Sequence, residues 1–199
     1  MESTLCLSRS TVHPYGVLML TKLPVKRLTF HPLQSRMGRK LLLLELSLSD
    51  STMAIGTVHL ESMDNTSKRC QQLLYILDEC LKEFEHAMLM GDFNFHEVSP
   101  ENDECLATHP EYVDIWPYLH HEDGHTVTET RTRFSGFRID RMLIRSDHFF
   151  PTLIERIGRE PILTDTVVNA DGVTETEPIF PSDHYGLCSV VEPLQLDDD

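Results

Sequence analysis

The stretch Ala87-Met88-Leu89-Met90-Gly91-Asp92-Phe93-Asn94 constrains this chain more than any other. An apolar run of this length between polar segments reads as a buried strand, and Gly91 followed by an acid and an amide ends it abruptly. Continued extension would put Asp92 and Asn94 on one side and return Phe93 to the core, because side chains alternate along a strand. A carboxylate and a neutral amide would then share the tip of a sheet. The first can bind Mg²⁺ or orient a water, and the second can hydrogen-bond a phosphate oxygen. The competing reading is an Asx turn, in which both side chains satisfy nearby backbone groups.

At 199 residues and 40% hydrophobic, the chain can bury one sizeable core. We expect one domain over residues 1–192, followed by an acidic tail at 193–199. No apolar run is long enough to span a bilayer, and "MESTLCLSRS" lacks the basic start and apolar stretch of a signal peptide. The expectation is an intracellular protein, nuclear or cytoplasmic, monomeric and without a membrane partner. Cys6, Cys70, Cys80, Cys105 and Cys188 are odd in number and form no CxxC pair, so reduced thiols are expected rather than a disulfide framework or a zinc knuckle. The net charge of −15 argues against non-specific wrapping of nucleic acid, which needs a basic face. It leaves a phosphate substrate open, because carboxylates around a divalent metal make a chain acidic while the ion reverses the local field.

Strands are expected at Gly16–Lys22, Lys26–His31, Lys40–Leu48 and Thr52–His59, with a hairpin turn between the last two. Leu73, Leu74, Leu77, Cys80, Leu81 and Phe84 then recur at helical spacing behind a cap at Asn65 or Thr66. After the strand at 87–90 comes a loop-rich region to 136 with one apolar patch, "YVDIWPYL". "FRIDRMLIRS" and "LIERIGREPI" read as strands, "TDTVVNADGVTETEPIFPSDH" as a long loop and "YGLCSVVEPL" as a last strand. Many strands with a helix laid across them indicate an α+β or layered arrangement.

Other strands also end on polar residues. "TVHLES" leaves His59, Glu61 and Ser62 at a tip, "FRIDRMLIR" carries Asp140 among apolar residues, and "FPSDHYG" delivers Asp183 and His184 before the last strand. Carboxylates that hold a metal, an Asp that orients a His, and His or Asn groups that stabilise charge on phosphorus are the parts of a phosphodiester hydrolase. Taken singly, His59 could be a histidine bonded to a carbonyl, Asp140 the partner of Arg138 or Arg141, and Pro181–His184 a turn.

In their order and context "TVHLES", "GDFN", "RIDRMLI" and "PSDHYG" resemble the endonuclease/exonuclease/phosphatase superfamily, the DNase I-like fold of AP endonucleases, sphingomyelinases and inositol polyphosphate 5-phosphatases. Within it the chain, over about residues 15–192, is most similar to the 5′-tyrosyl-DNA phosphodiesterases. The resemblance implies a four-layer α/β/β/α sandwich and an Mg²⁺-dependent phosphodiesterase of DNA repair, with Mn²⁺ as the alternative ion and the 5′ end of DNA as substrate. It also implies roles. Asp92 would activate the attacking water and bind metal, Asp183 would assist with the metal, and Asn94 would bind a phosphate oxygen. His184, held by Asp140, would stabilise the pentacovalent phosphate, and His59, with Ser62 nearby, would contact the phosphate from the other side.

The chain departs from that pattern in several places. The family's amino-terminal "N-x-D"-like element and its "Q-E" strand end, whose Glu is the principal Mg²⁺ ligand, are not found, so the amino-terminal part of the fold is expected to be missing. Thr126-Val127-Thr128 stands where the family has an aromatic after a Thr, and the Arg beyond "GD-x-N" is replaced around His96. Phe134 or Phe137 are candidates for the absent ring. The alternatives to carry forward are another superfamily enzyme acting on lipid or inositol phosphates, and an inactive form serving as a binding module.

Overall fold

A computed structural model of the protein describes residues 16–48, 51–127, 136–168, 172 and 174–194. Its centre is a mixed six-stranded sheet built from β1 (Val25–Pro32), β2 (Lys40–Ser47), β3 (Thr52–His59), β4 (His86–Asp92), β5 (Val113–Asp114) and β6 (Asp140–Arg145), in the order β1-β2-β3-β4-β6-β5. β3 and β4 pair in parallel, so the chain must cross over between them. It does so through α1 (Thr66–Tyr75), which runs on as a turn of π-helix at Ile76–Cys80. Leu73, Ile76, Leu77 and Leu81 pack with Leu41, Leu43, Ala54, Leu89 and Phe93 in the main core.

The other face of the sheet is covered by α3 (Ile115–Leu119) and by a two-stranded sheet of β7 (Phe149–Ile157) and β10 (Gly186–Pro193). Met88, Ile115, Trp116, Ile144 and Ile154 form this second core. Both faces of the central sheet are buried, which is why Leu41–Leu44 and Ala87–Leu89 read as unbroken apolar runs. Helix, sheet and second sheet make a layered α+β fold. On the outer face of the second sheet Leu153 and Val190 sit opposite one another and are exposed, and no helix covers them among the described residues. The short α2 (Glu101–Glu104) and a 3₁₀ turn at Leu106–Thr108 lie between β4 and β5. No described helix is long and apolar enough to cross a membrane.

Several expectations need correction. Gly16–Lys22 forms no strand: Leu18 and Leu20 are exposed, and without a neighbouring ladder the backbone has no reason to stay extended. The supposed long loop after residue 162 contains a hairpin of β8 (Leu163–Val168) and β9 (Thr174–Ile179). The "YVDIWPYL" patch splits into β5 and α3. Cys70 and Cys105 are joined in a disulfide across 35 residues, whereas Cys80 and Cys188 are free; parity and spacing carry no information on a pairing made by folding. Cys6, Thr128, Phe134 and the residues from 195 onward lie outside the described residues.

Candidate active site

Register places the predicted residues in a row. In the β3–β4 ladder His59 is the partner of Asp92, and in the β4–β6 ladder Asp92 is the partner of Asp140. Strand ends therefore deliver an imidazole and two carboxylates side by side. Gly91 makes this possible: its φ is +136°, and a Cβ there would lie 1.9 Å from the Val58 carbonyl oxygen, a clash that neither backbone can relieve.

Asp92 and Asn94 realise the turn reading, with both side chains on backbone groups. The Asn94 backbone N–H donates to Asp92 Oδ1 at 2.8 Å, which is an Asx turn. Asn94 is left-handed, with φ of 55°, a conformation Asn tolerates better than most residues. The strand thus stops at Asp92 instead of continuing in extended form. Phe93 is fully buried, as expected. The Asn94 side-chain amide donates to the Leu60 carbonyl at 3.0 Å, while the Leu60 N–H bonds the Asp92 carbonyl at 2.9 Å.

His184 arrives from the other sheet. An isolated bridge pairs it with Val127, and the Tyr185 N–H bonds the Thr126 carbonyl at 2.6 Å. Its Nδ1 lies 2.8 Å from Asp140 Oδ2. Thr126, fully buried, accepts from the N–H groups of Ile139 and Asp140 at 3.2 and 3.1 Å. It joins the two sheets behind the site, a structural role that a single interior Thr does not announce.

The electrostatics follow from this crowding. Burial, then the neighbouring Asp140 charge, pushes the Asp92 carboxyl up to about 6. Burial, then the Arg39 guanidinium, pushes His59 down to about 4, so the 3.2 Å His59–Asp92 contact joins a neutral imidazole to a carboxylate and is not an ion pair. His184 moves up, chiefly through its hydrogen bond to Asp140. Two neighbouring carboxylates, one resisting ionisation, describe a site short of positive charge. Asp92, Asp140 and His184 each offer a ligand atom, all within 4.8 Å of one another. This donor set fits a divalent cation.

The remaining candidates lie apart. Asp183 is exposed on the loop before His184, where Ser182 Oγ donates to it at 3.4 Å, and it is not one of those three ligands. Ser62 Oγ contacts Met37 Sδ at 3.1 Å. Glu61 turns inward and is completely buried. His96 stacks on Phe137 with ring centroids 4.9 Å apart.

No family model matches the chain. Tyrosyl-DNA phosphodiesterase 2 of Gallus gallus is 27% identical over 167 residues, covering 76% of this chain and 41% of that protein, so the chain spans about two fifths of that relative's length. Among solved structures, D. rerio TDP2 complexed with single-strand DNA product superimposes with a TM-score of 0.66 at 22% identity, over 84% of this chain and 68% of that one. The beta toxin from Staphylococcus aureus, solved with bound magnesium ions, gives a TM-score of 0.63 at 17% identity, over 85% and 66%. On these likenesses the chain has the DNase I-like fold of the endonuclease/exonuclease/phosphatase superfamily and is similar, within it, to the tyrosyl-DNA phosphodiesterases.

Proposed function

We propose that the protein is a metal-dependent phosphodiester hydrolase acting on 5′-phosphotyrosyl ends of DNA. The observation that carries the reading is the row His59–Asp92–Asp140 closed by His184, on a fold shared with a TDP2 whose structure holds a single-strand DNA product. Asp92 and Asp140 would hold Mg²⁺, and Asp183, exposed on the loop before His184, would assist only if that loop closes on the ion. When bound, the ion supplies Lewis-acid charge to the phosphoryl oxygens.

The chain's own residues do the rest. Asp92, at the strand end beside His59 and Asp140, is suited to orient a water and take its proton. Asn94 has one amide N–H committed to the Leu60 carbonyl, and its other N–H donates to a non-bridging phosphate oxygen. His184 donates a hydrogen bond from its Nδ1–H to Asp140, which fixes the ring and favours the imidazolium, whose Nε2–H then faces the phosphate and answers the charge that builds on phosphorus. His59, neutral at pH 7, has its Nε2 against Asp92 and would line the phosphate's other side without adding charge, while Ser62 would have to turn from Met37 to reach the same phosphate.

The test is Mg²⁺-dependent release of tyrosine from a 5′-phosphotyrosyl oligonucleotide, with Asp92→Asn as control, beside sphingomyelin and an inositol phosphate. Release abolished by the substitution is the expected result. Preference for a lipid or inositol substrate would move the protein to another branch of the superfamily. Inactivity of the folded chain on all three would leave the binding-module alternative.

A further inference from the structure

Glu61 is an acid at the tip of β3, yet it touches none of the site's side chains directly. Its side chain is completely buried and accepts hydrogen bonds from Ser35 Oγ at 2.5 Å, from the Arg36 N–H at 2.9 Å and from Gln72 Nε2 at 3.4 Å. A buried carboxylate is retained only where such donors repay its lost hydration, and the Arg39 charge adds to them. Ser35 Oγ in turn accepts the backbone N–H groups of Met37 and Arg39 at 2.9 and 3.0 Å. Glu61 therefore closes the segment between β1 and β2 onto the end of β3.

The second half of the arrangement is a single peptide plane. The Glu61 N–H donates to Gln72 Oε1 at 2.9 Å, and the Leu60 carbonyl across the same peptide bond accepts from Asn94 Nδ2 at 3.0 Å. Peptide planarity makes these two groups turn together. Gln72 is set with its oxygen toward the Glu61 N–H because its nitrogen faces two acceptors, Glu61 Oε2 and the Gln34 carbonyl at 3.0 Å. Reversing that amide would oppose donor to donor and acceptor to acceptor.

We infer that Glu61, through Gln72 and the Leu60–Glu61 peptide plane, is a positioning residue that aims the Asn94 side-chain amide at the phosphate. The inference rests on the functional reading above for the identity of the target, whereas the geometry it describes does not. Glu61 touches no reacting atom; it fixes the direction of one that Asn94 presents. Misdirection of such a group is paid in turnover more than in substrate binding.

The experiment is a cycle of Glu61→Gln and Asn94→Ala, read as kcat and KM on a 5′-phosphotyrosyl oligonucleotide and accompanied by NMR of the Asn94 side-chain amide. Glu61→Gln is expected to lower kcat about tenfold with KM little changed, and to cost nothing further once Asn94 is alanine, since its route of action is gone. In the same variant the Asn94 amide signals move toward those of a solvent-exposed carboxamide. Equal losses of kcat in both backgrounds, or an unaltered Asn94 amide in folded Glu61→Gln, would overturn the inference. If Glu61→Gln does not fold, Ser35→Ala removes one donor and is read in the same way. Should the unsubstituted chain cleave no phosphodiester, the functional reading fails, and the amide signals alone decide the positioning.

Discussion

The tips of β3, β4 and β6 and the outer face of β7–β10 are built from the same kinds of strand and treat their side chains in opposite ways. At the tips, polar groups are held by ladder register and by one another: Asp92 is bonded by Asn94 and faced by His59, and Asp140 is bonded by His184. On the outer face, Leu153 and Val190 stand opposite each other with nearly half their surface in water, at 45% and 40%. The contrast teaches that this chain concentrates its constraint where the charges are, and leaves apolar surface where no described element asks for more.

The sharpest way to break the comparison is chemical. Asp92→Asn should lower turnover of the preferred phosphodiester by about a thousandfold or more, while Leu153→Ser on the outer face should leave kcat unchanged; steady-state kinetics of both decide it. Next comes the backbone that seats the row. Gly91→Ala places a Cβ against the Val58 carbonyl and should cost about 3 kcal/mol or more, or prevent folding, as urea titration would show. Side-chain truncation follows. Leu89→Ala, in the main core, should cost about 2–5 kcal/mol, whereas Leu153→Ala should stay within about 0.5 kcal/mol. An equal cost for the two would mean the outer face is covered in solution.

Smaller effects come from titration. The folded-state pKa of Asp92 is raised to about 6, so folding is penalised once the group ionises. The penalty is absent below the ordinary carboxylate range, grows up to about pH 6 and is complete above it. Asp92→Asn should therefore stabilise the metal-free protein at pH 7, by about 1–3 kcal/mol, while destroying its activity. Glu61 has the opposite sign. Burial pushes its carboxyl up, but the hydrogen bonds from Ser35, Arg36 and Gln72 and the Arg39 charge outweigh it and leave the pKa below the usual value. The stability it contributes is present above that range and lost as pH falls through its folded value, so Glu61→Gln should flatten the acid limb of a urea-midpoint profile.

What could be read in advance was whatever leaves a mark within a few residues. The apolar run at 87–90, the glycine that ends it and the "GDFN", "TVHLES" and "PSDHYG" motifs are local patterns, and strand register then assembled them. The β8–β9 hairpin was not legible because Thr164, Asp165, Thr166, Thr174 and Thr176 are exposed and give no alternation of buried and exposed residues to read. Gly16–Lys22 had the right composition but no ladder partner. Alternation predicted that Asn94 would follow Asp92 in extended form, and it failed where a left-handed residue let the Asx turn take over. Glu61 was noticed for its position at a strand end, but which way it turned depended on Ser35 and Gln72, remote in sequence.

The π turn and the disulfide lie in connectors, while His59, Asp92 and Asp140 form one transverse rung of the sheet. A rung has no memory of how much chain was spent between its members. Codons can be gained or lost in the crossover between β3 and β4, or in the segment between β4 and β6, without displacing any of the three. A single codon gained inside β4 would rotate every partner of Asp92 to the other side of the sheet. For proteins built this way, the spacing between motifs is elastic and the length of the strands that carry them is not.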